Sequence, residues 1–279
     1  MTYSDLFKLG VEQLNKAGIP EPESDVRLLF QYILDADRSF MFMHGTDPVS
    51  EEDEQKIIKA LEIRESRVPL QHITGYQNFM GFEFKVSKDV LIPRFDTECL
   101  VEEAMLVCND GDKVLDICTG SGCILISLMN YKNDISGYGI DISEKALEIA
   151  EENASELCKP NKKPCFLKSD LYSELNERDF DIIVSNPPYI KTEVIDTLMT
   201  EVKDYDPMIA LDGGQDGLDF YRRIIEKAPE YLKKGGALLV EIGYDQGKEV
   251  SDLFSERGFS SVQVIKDLAG NDRVVSGRI

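Results

Sequence analysis

The segment that best indicates the fold of this chain is residues 114–122, Val114-Leu115-Asp116-Ile117-Cys118-Thr119-Gly120-Ser121-Gly122. An apolar run leads there into a glycine-rich loop, which predicts a buried strand followed by a turn that opens a helix. Glycines let the backbone approach a ligand closely, and a helix start offers free N–H groups. Open α/β sheets bind ligands at the carboxyl ends of their strands, where this loop would lie.

Predicted strands and helices alternate downstream of residue 95. The strands are predicted at residues 113–118, 136–141, 164–168, 181–185 and 237–242. The helices between them are predicted at residues 121–131, 144–153 and 218–232. Such alternation predicts a parallel sheet covered by helices on both faces. Residues 261–266 and 273–278 flank Gly270-Asn271 without a helix between them, which predicts an antiparallel hairpin at the sheet edge.

The chain before residue 93 is organised differently. Residues 1–67 read as helices, the first capped by Ser4 and a later one opened by Ser50 and the acids that follow it. Residues 76–92 change to an apolar period of two, which predicts a β-hairpin. We therefore predict a helical substrate-recognition domain at 1–75, a β-hairpin linker at 76–92 and a sheet domain at 93–279.

Composition excludes several classes of function. The net charge of −21 opposes binding to a phosphate backbone. No apolar stretch approaches the roughly 18 residues of a membrane span, and the start of the chain lacks a signal-peptide pattern, so we expect a cytoplasmic protein. The six cysteines form no C-x-x-C pair and have only His44 and His72 to join them, so we expect free buried thiols and no metal site.

The glycine loop does not match a dinucleotide or nucleoside triphosphate site. The G-x-G-x-x-G pattern requires glycine at position 125, where Leu125 stands, and the chain has no G-x-x-x-x-G-K-[ST] loop. Asp141 ends the second strand, 19 residues after Gly122, where a carboxylate can accept both ribose hydroxyls of an adenosine. The alternative is that Asp141 only caps the helix that starts near Ser143.

A second acid follows the third strand. Asp170 could receive the adenine amino group with Leu171 against the ring, or it could be a loop acid without a ligand. Acids at 116, 141 and 170 around one pocket would repel a pyrophosphate but tolerate a sulfonium cation. The predicted cofactor-binding residues are Cys118, Thr119, Gly120, Ser121, Gly122, Asp141, Asp170, Leu171 and Asn186.

The predicted fourth strand ends in a stiff polar tip, Asn186-Pro187-Pro188-Tyr189. The prolines fix φ and remove two N–H donors, and the residue before a proline is pushed into an extended conformation that would project Asn186. Such a tip could hold a planar NH₂ group for methylation. This group is a poor nucleophile because its lone pair is delocalised into the attached carbonyl or ring. The Asn186 side-chain oxygen and the Pro187 carbonyl could hold both N–H bonds and accept the developing positive charge, while Tyr189 stacks on the planar group. The alternative is a proline-terminated strand with a turn asparagine.

Several further motifs extend the pattern over nearly the whole chain. They are Arg67-Val68-Pro69-Leu70-Gln71-His72-Ile73-Thr74-Gly75, Val90-Leu91-Ile92-Pro93-Arg94-Phe95-Asp96-Thr97-Glu98, Leu211-Asp212-Gly213-Gly214-Gln215-Asp216-Gly217-Leu218 and Asp267-Leu268-Ala269-Gly270-Asn271-Asp272-Arg273. With these motifs the sequence resembles the HemK/PrmC family, the protein glutamine methyltransferases that act on peptide-chain release factors. The family usually has Pro-Glu where Phe95-Asp96 stand and often Gly where Cys118 stands.

The resemblance implies a fold, a cofactor and a substrate. It implies a Rossmann-like class I methyltransferase domain with a mostly parallel seven-stranded sheet, and a helical N-terminal domain that docks the release factor. It implies S-adenosyl-L-methionine as cofactor, with S-adenosyl-L-homocysteine as product. It implies that Asn186, Pro187, Pro188 and Tyr189 clamp the glutamine amide of a Gly-Gly-Gln sequence. We expect a monomer that binds neither nucleic acid nor membrane.

Four other interpretations remain open. The tip could methylate adenine N6 of DNA or RNA, or a glutamine of a ribosomal protein. The chain could also be a non-enzymatic adenosine sensor or scaffold. Finally, the chain carries its own Gly213-Gly214-Gln215, which could be a self-methylation site but which we predict to be a loop before the helix at Leu218.

Overall fold

The computed structural model describes residues 1–37 and 39–279, which divide into two units. The smaller unit contains Met1–Tyr76 and the segment Met199–Tyr205. The larger unit contains Gln77–Leu198 and Asp206–Ile279. The return of Met199–Tyr205 to the smaller unit was not predicted from the sequence.

The smaller unit is helical. Its helices are α1 (Tyr3–Lys16), α2 (Pro22–Leu34), α3 (Phe40–His44), α4 (Glu51–Glu65) and α5 (Leu70–Thr74). The prediction that Ser4 caps α1 was wrong, because Thr2 is the N-cap and forms a reciprocal capping box with Asp5. The predicted cap of α4 is confirmed, since the Ser50 hydroxyl accepts a hydrogen bond from the Asp53 N–H at 3.1 Å.

A buried arginine ties the parts of the smaller unit together. Arg64 of α4 donates from Nε to Asp25 Oδ2 of α2 at 2.7 Å and from both terminal nitrogens to Glu201 Oε1 at 3.3 Å. It also donates to the Val68 carbonyl at 3.1 Å. Burial raises the pKa of Asp25, and the hydrogen bond from Arg64 opposes that rise. The guanidinium therefore contacts two carboxylates that are largely out of water, and Arg67 supplies a second cation to Glu201 at 3.2 Å.

The larger unit begins with the predicted hairpin, β1 (Tyr76–Phe79) and β2 (Phe82–Lys85), which forms a two-stranded sheet of its own. The seven remaining strands are β3 (Lys113–Ile117), β4 (Ser136–Asp141), β5 (Cys165–Lys168), β6 (Phe180–Ser185), β7 (Leu232–Glu241), β8 (Ser260–Lys266) and β9 (Asp272–Arg278). The helices are α6 (Glu98–Val107), α7 (Cys123–Tyr131), α8 (Glu144–Leu157), α9 (Thr192–Ile195), α10 (Thr200–Lys203), α11 (Met208–Leu211), α12 (Asp219–Lys227) and α13 (Gly247–Glu256), of which α10 lies in the segment Met199–Tyr205 of the smaller unit.

The seven strands form one sheet in the order β5-β4-β3-β6-β7-β9-β8. The pairs from β5 to β7 are parallel, while β9 runs antiparallel to both β7 and β8. The predicted seven-stranded, mostly parallel sheet and its antiparallel hairpin at the edge are therefore confirmed.

Successive residues of the central strands alternate between two cores, one on each face of the sheet. In β6, Ile182 and Val184 join the core that includes Leu100 of α6 and Leu125 of α7. Ile183 faces the opposite core with residues of α12 and α13. Helices thus cover both faces, as parallel sheets require.

Some sequence predictions were wrong in detail. The helix predicted to reach Leu232 ends at Lys227, because Pro229 lies in a 3₁₀ turn and Leu232 already begins β7. Helices α6 and α13 were not predicted; α13 buries only Val250 and Phe254 among its apolar side chains, which is a weak periodic signal. All six cysteines are free, but only Cys108, Cys123 and Cys158 are buried, and Cys165 is exposed. Within residues 1–37 and 39–279, no helix has the length and apolar character needed to cross a membrane.

The Arg64 cluster yields a stability prediction. Replacing Arg64 with Met leaves the buried Asp25 carboxylate without its cation and Glu201 with only Arg67, so the local free energy of unfolding should fall by about 3–5 kcal/mol. Hydrogen exchange of the α1, α2 and α4 amides measures that loss. The control is Lys16→Met, which removes an ion pair to Glu12 that is about 70% exposed on both sides and should change stability by less than about 1 kcal/mol. Equal losses in the two variants would contradict this account.

Candidate active site

The site lies where the strand order of the sheet reverses, between β3 and β6. Ile117 of β3 is directly paired with Ser185 of β6, and the Ser185 hydroxyl donates to the Ile117 carbonyl at 2.7 Å. Beyond this pair the two chains separate, the first into the glycine loop and the second into Asn186. Such a reversal opens a crevice at the carboxyl edge of the sheet, and ligands of open α/β folds bind there.

The glycine loop needs left-handed backbone at three positions. Cys118, Gly120 and Gly122 have φ of +60°, +54° and +79°. A Cβ on Gly122 would lie 2.9 Å from Ile126 Cδ1, so glycine is required there for the loop to sit on α7. A Cβ on Gly120 would meet no atom within 4 Å and would project into open space at the pocket that Gly120 lines. The loop therefore brings bare backbone to the pocket.

Asp141 ends β4 beside this loop. Its Oδ2 accepts a hydrogen bond from the Gly120 N–H and its Oδ1 from the Ser143 N–H, both at 2.9 Å. Ser143, not Asp141, is the N-cap of α8, because its hydroxyl accepts from the Ala146 N–H. Burial raises the pKa of Asp141, and the backbone hydrogen bonds oppose that rise. The carboxylate lines the pocket and is fixed by the backbone on both sides.

Asp170 and Leu171 follow β5 and line the same pocket. Leu171 is buried and has a φ of +50°. Arg223 of α12 donates to Asp170 Oδ1 at 2.8 Å and also lines the pocket, a pairing that the sequence did not predict. About half of the Asp170 side chain remains exposed, so its carboxylate still offers acceptor positions to a ligand.

The third predicted acid, Asp116, does not line the pocket but is fully buried beneath the loop. Its Oδ2 accepts from the Thr119 hydroxyl at 2.6 Å, while its Oδ1 has no hydrogen-bond partner among the described residues. Burial raises the pKa of Asp116 to about 7, and the nearby Asp141 carboxylate adds to that rise. This acid supports the loop from below.

The predicted cofactor residues are therefore brought together in part. The residues that line the pocket are Cys118, Gly120, Asp141, Asp170, Leu171 and Asn186. Thr119, Ser121 and Gly122 belong to the loop but lie behind this surface, with Thr119 and Ser121 buried. Much of the remaining wall is apolar and was not predicted, including Val90, Leu91, Ile142, Ile209 and Phe220. Scattered apolar residues carry no motif that would have identified them.

The tip after β6 reaches into the same pocket. Asn186 and Pro188 line it, whereas Pro187 and Tyr189 do not; both prolines are buried and Tyr189 is half-buried. The Tyr189 hydroxyl donates to Glu241 Oε1 of β7 at 3.4 Å, and burial raises the pKa of the phenol. Asn186 and Pro188 of the tip therefore border the same pocket as Asp141.

The Gly213-Gly214-Gln215 segment lies in a loop before α12, as predicted. The Gly213 N–H donates to the Ile190 carbonyl at 2.8 Å, and a Cβ on Gly213 would lie 2.7 Å from the Tyr189 Cα. The Gln246 side chain donates to the Tyr189 carbonyl at 3.1 Å from the other side. These glycines let the loop pack directly on the backbone of the tip, while the Gln215 side chain is exposed.

The pocket fits an adenosine that carries a positive charge and no phosphate. Carboxylates at the ends of β4 and β5 suit hydroxyl and amino donors, and the apolar walls suit a planar ring. Negative charge at this edge of the sheet would repel phosphates and attract a cation. The bare Gly120 backbone supplies the close approach that such a ligand needs.

Comparison with known proteins agrees with this geometry. Residues 5–75 match the family model described as PrmC N-terminal domain, and residues 94–204 match the methyltransferase small domain. A release factor glutamine methyltransferase of Fusobacterium nucleatum is 42% identical over 276 residues, which are 97% of this chain and 77% of that protein. One of Clostridium botulinum is 40% identical over 282 residues, which are 100% of this chain and 99% of that protein.

A solved structure supports the fold. The chain resembles a methyltransferase from Pyrococcus furiosus with a TM-score of 0.51 and 21% sequence identity. The match covers 71% of this chain and 89% of that one. At this identity the likeness extends to the architecture of the sheet and its helices.

The position of Asp141 yields a binding prediction. Asp141→Ala removes a fixed carboxylate acceptor from the pocket, so the affinity for S-adenosyl-L-homocysteine should fall by about tenfold to hundredfold. Isothermal titration calorimetry measures the change. Glu144→Ala is the matched control. Glu144 lies three residues after Asp141 and carries the same charge, but its side chain is 71% exposed. Equal affinities of the Asp141 variant and the control would contradict the assignment.

Proposed function

We propose, because this chain belongs to the family of release factor glutamine methyltransferases, that it transfers a methyl group from S-adenosyl-L-methionine to the side-chain amide nitrogen of the glutamine in the Gly-Gly-Gln sequence of peptide-chain release factors. The observation that carries this proposal is that one pocket is lined both by Asp141 and by Asn186. The group that holds an adenosine and the group that holds an amide therefore border the same space.

The cofactor, when bound, supplies an electrophilic methyl group on a sulfonium. Asp141 would accept hydrogen bonds from the ribose hydroxyls, Asp170 would accept one from the adenine amino group, and Leu171 would pack against the ring. The backbone of residues 118–122 would approach the rest of the molecule, with Gly120 at the pocket surface. These roles require only acceptors and apolar contacts, which these residues provide.

The tip residues would hold the substrate amide. Asn186 Oδ1 and the Pro187 carbonyl would each accept one N–H of the glutamine NH₂ group, and Tyr189 would stack on its plane. Both acceptors would bind the nitrogen more strongly as positive charge develops on it. Fixed dipoles that stabilise the transition state more than the ground state lower the barrier. Bound S-adenosyl-L-methionine would supply the methyl group and keep the electron pair of the broken C–S bond, and one amide proton would be released to water after transfer. A strong base is not required before transfer.

The charge of the chain favours a protein substrate over nucleic acid. To flip a base out of a duplex, this chain would have to bind a phosphate backbone despite its own net charge of −21. A glutamine in a ribosomal protein presents the same amide and is separated from a release factor by direct assay. A chain that binds S-adenosyl-L-methionine but methylates nothing in a cell extract would instead be a sensor.

Transfer to the amide should depend on Asn186. Asn186→Ala removes one of two acceptors of the substrate NH₂ group, so kcat should fall by about 10²- to 10³-fold while cofactor affinity changes little. Labelled methyl transfer to a purified release factor measures the rate. Asn161→Ala, at an exposed turn, is the matched control and should keep the wild-type rate.

The same assay tests the substrate. A release factor whose Gly-Gly-Gln glutamine is replaced by alanine should take up no label. Equal labelling of that variant and of the natural factor would reject the proposed target, and labelling of nucleic acid would favour the adenine alternative. Intact mass of this chain after incubation with cofactor alone should show no methyl on Gln215.

The smaller unit is proposed to dock the release factor. Its short helix α3 carries two adjacent apolar side chains in water, Phe42 at 93% and Met43 at 62% exposure. Exposed apolar groups of this size are typical of protein-binding surfaces.

The docking role predicts a difference between two substrates. Phe42→Ala combined with Met43→Ala should raise KM for an intact release factor by about tenfold or more, since two apolar contacts are lost. KM for a short peptide that contains the Gly-Gly-Gln sequence should stay the same, because the peptide reaches the active site without docking. Leu106→Ala, which removes another 78% exposed apolar side chain, is the control. An unchanged KM for the intact factor would contradict the docking surface.

A further inference from the structure

One buried asparagine connects two segments that border the pocket. Asn153 lies on α8 and is fully buried. Its Oδ1 accepts a hydrogen bond from the Lys85 N–H at 2.7 Å, and its Nδ2 donates to the Lys85 carbonyl and to the Ser121 carbonyl, both at 3.0 Å. Lys85 ends β2 and Ser121 belongs to the glycine loop, 68 and 32 positions from Asn153. The asparagine therefore joins the hairpin to the loop.

The three backbone partners fix the orientation of the Asn153 amide. A backbone N–H can only donate, so it must meet the amide oxygen, and a carbonyl can only accept, so each carbonyl must meet the NH₂ group. The oxygen and both hydrogens of the NH₂ group are thus in use. Aspartate has the same size but lacks the donors when it is ionised, and leucine lacks the donors and the acceptor alike. The bridge therefore requires asparagine chemistry and not only asparagine volume.

Both segments held by Asn153 continue into walls of the pocket. Gly120, which precedes Ser121, lines the pocket on one side. On the other side the chain runs from Lys85 into residues 89–91, which also line it. Asn153, Lys85 and Ser121 do not themselves line the pocket. The asparagine thus contacts the supports of two walls and leaves the ligand space untouched.

The same face of α8 packs against both segments. Ala146 and Ala150 precede Asn153 by seven and three positions, which places all three on one side of the helix. Ala146 is buried in a small cluster with Val90 of the segment after β2. A Cβ on Gly122 of the loop would lie 3.3 Å from the Ala150 Cβ. Apolar contacts of this kind are not directional, whereas the three hydrogen bonds of Asn153 specify one placement of the loop against the hairpin.

We propose that Asn153 is a positioning residue for the cofactor, because it fixes the glycine loop relative to residues 86–91 and so fixes the shape of the pocket that both segments border. This inference rests on the proposed function for the identity of the ligand. Without the bridge, one N–H and two carbonyls lose a buried partner, and they regain hydrogen bonds only if the loop and the hairpin separate enough to admit water. Ligand affinity should then fall although no contact with the ligand is removed.

The first experiment measures cofactor affinity without turnover. Asn153→Leu removes all three hydrogen bonds at similar volume, so affinity for S-adenosyl-L-homocysteine should fall by about tenfold or more in isothermal titration calorimetry. Phe254→Leu is the matched control, because Phe254 is fully buried in α13 and does not line the pocket. It should lower stability and keep the affinity within about twofold of wild type. A wild-type affinity in the Asn153 variant, or an equal loss in the control, would overturn the inference.

A second substitution tests the donors of the bridge. Asn153→Asp keeps the size and the acceptor of the side chain but removes both donors when it is ionised. At neutral pH it should therefore lose at least about as much affinity for S-adenosyl-L-homocysteine as Asn153→Leu. An aspartate variant that binds like wild type would overturn the role of the NH₂ group.

The third experiment uses the wild type alone, so it does not depend on how well a variant folds. If Asn153 couples the two segments, a ligand that contacts the glycine loop also stabilises the hydrogen bond from the Lys85 N–H. In hydrogen exchange followed by NMR, the Lys85 amide should exchange severalfold more slowly at saturating S-adenosyl-L-homocysteine. The Met80 amide is the matched control, because it lies in the same hairpin but donates to Glu98 Oε1 at 2.6 Å. Its exchange should change less.

The outcomes of this experiment separate the inference from the proposed function. Binding of S-adenosyl-L-homocysteine with no greater slowing at Lys85 than at Met80 would overturn the inference, even if the glutamine is methylated. A slowed Lys85 amide in a protein that methylates no glutamine would reject the function and keep the inference. A wild type that does not bind S-adenosyl-L-homocysteine would reject both.

Discussion

The parallel pairing of β3 with β6 is the constraint on which the rest of the site depends. Because Ile117 lies opposite Ser185, the residues that follow them leave the sheet at the same level and in different directions. After β3 the chain forms the glycine loop, and after β6 it continues into Asn186. A shift of one residue in this register would turn the side chains of β6 to the other face and move the asparagine away from the pocket.

Rigidity at this edge comes from backbone contacts more than from the tip itself. The prolines stiffen residues 187 and 188, but Gly213 and Gln246 hold the following tyrosine from two sides. On the other exit, Asp141 accepts from the Gly120 N–H and so joins the glycine loop to the end of β4. The glycine loop and the tip are thus each held by a neighbouring segment. Methyl transfer to a weak nucleophile requires such preorganisation.

The sequence predicts the sheet well because buried parallel strands appear as continuous apolar runs bounded by turn residues. It also predicted that Asp141 and Asn186 lie at the carboxyl edge of the sheet, at or just after the end of a strand, and both line the pocket there. It did not identify Thr97, which lies 89 positions from Asn186 and accepts a hydrogen bond from its side-chain amide only in the folded chain. Nor did it distinguish Thr2 from Ser4 as the cap of α1, because both have a hydroxyl near the helix start; the reciprocal hydrogen bonds between Thr2 and Asp5 make Thr2 the cap.

Buried acids beneath both halves of the site follow one physical rule. Asp116 under the glycine loop and Glu241 under the tip each have one oxygen that receives a hydroxyl hydrogen bond and one without a hydrogen-bond partner among residues 1–37 and 39–279. A hydrophobic replacement would remove the desolvation cost, so neither acid is explained by stability alone. An acceptor that only accepts is, however, the one group that can orient a neighbouring hydroxyl without ambiguity. When ionised, each acid fixes the direction of the hydroxyl hydrogen bond that it receives, at a cost in stability.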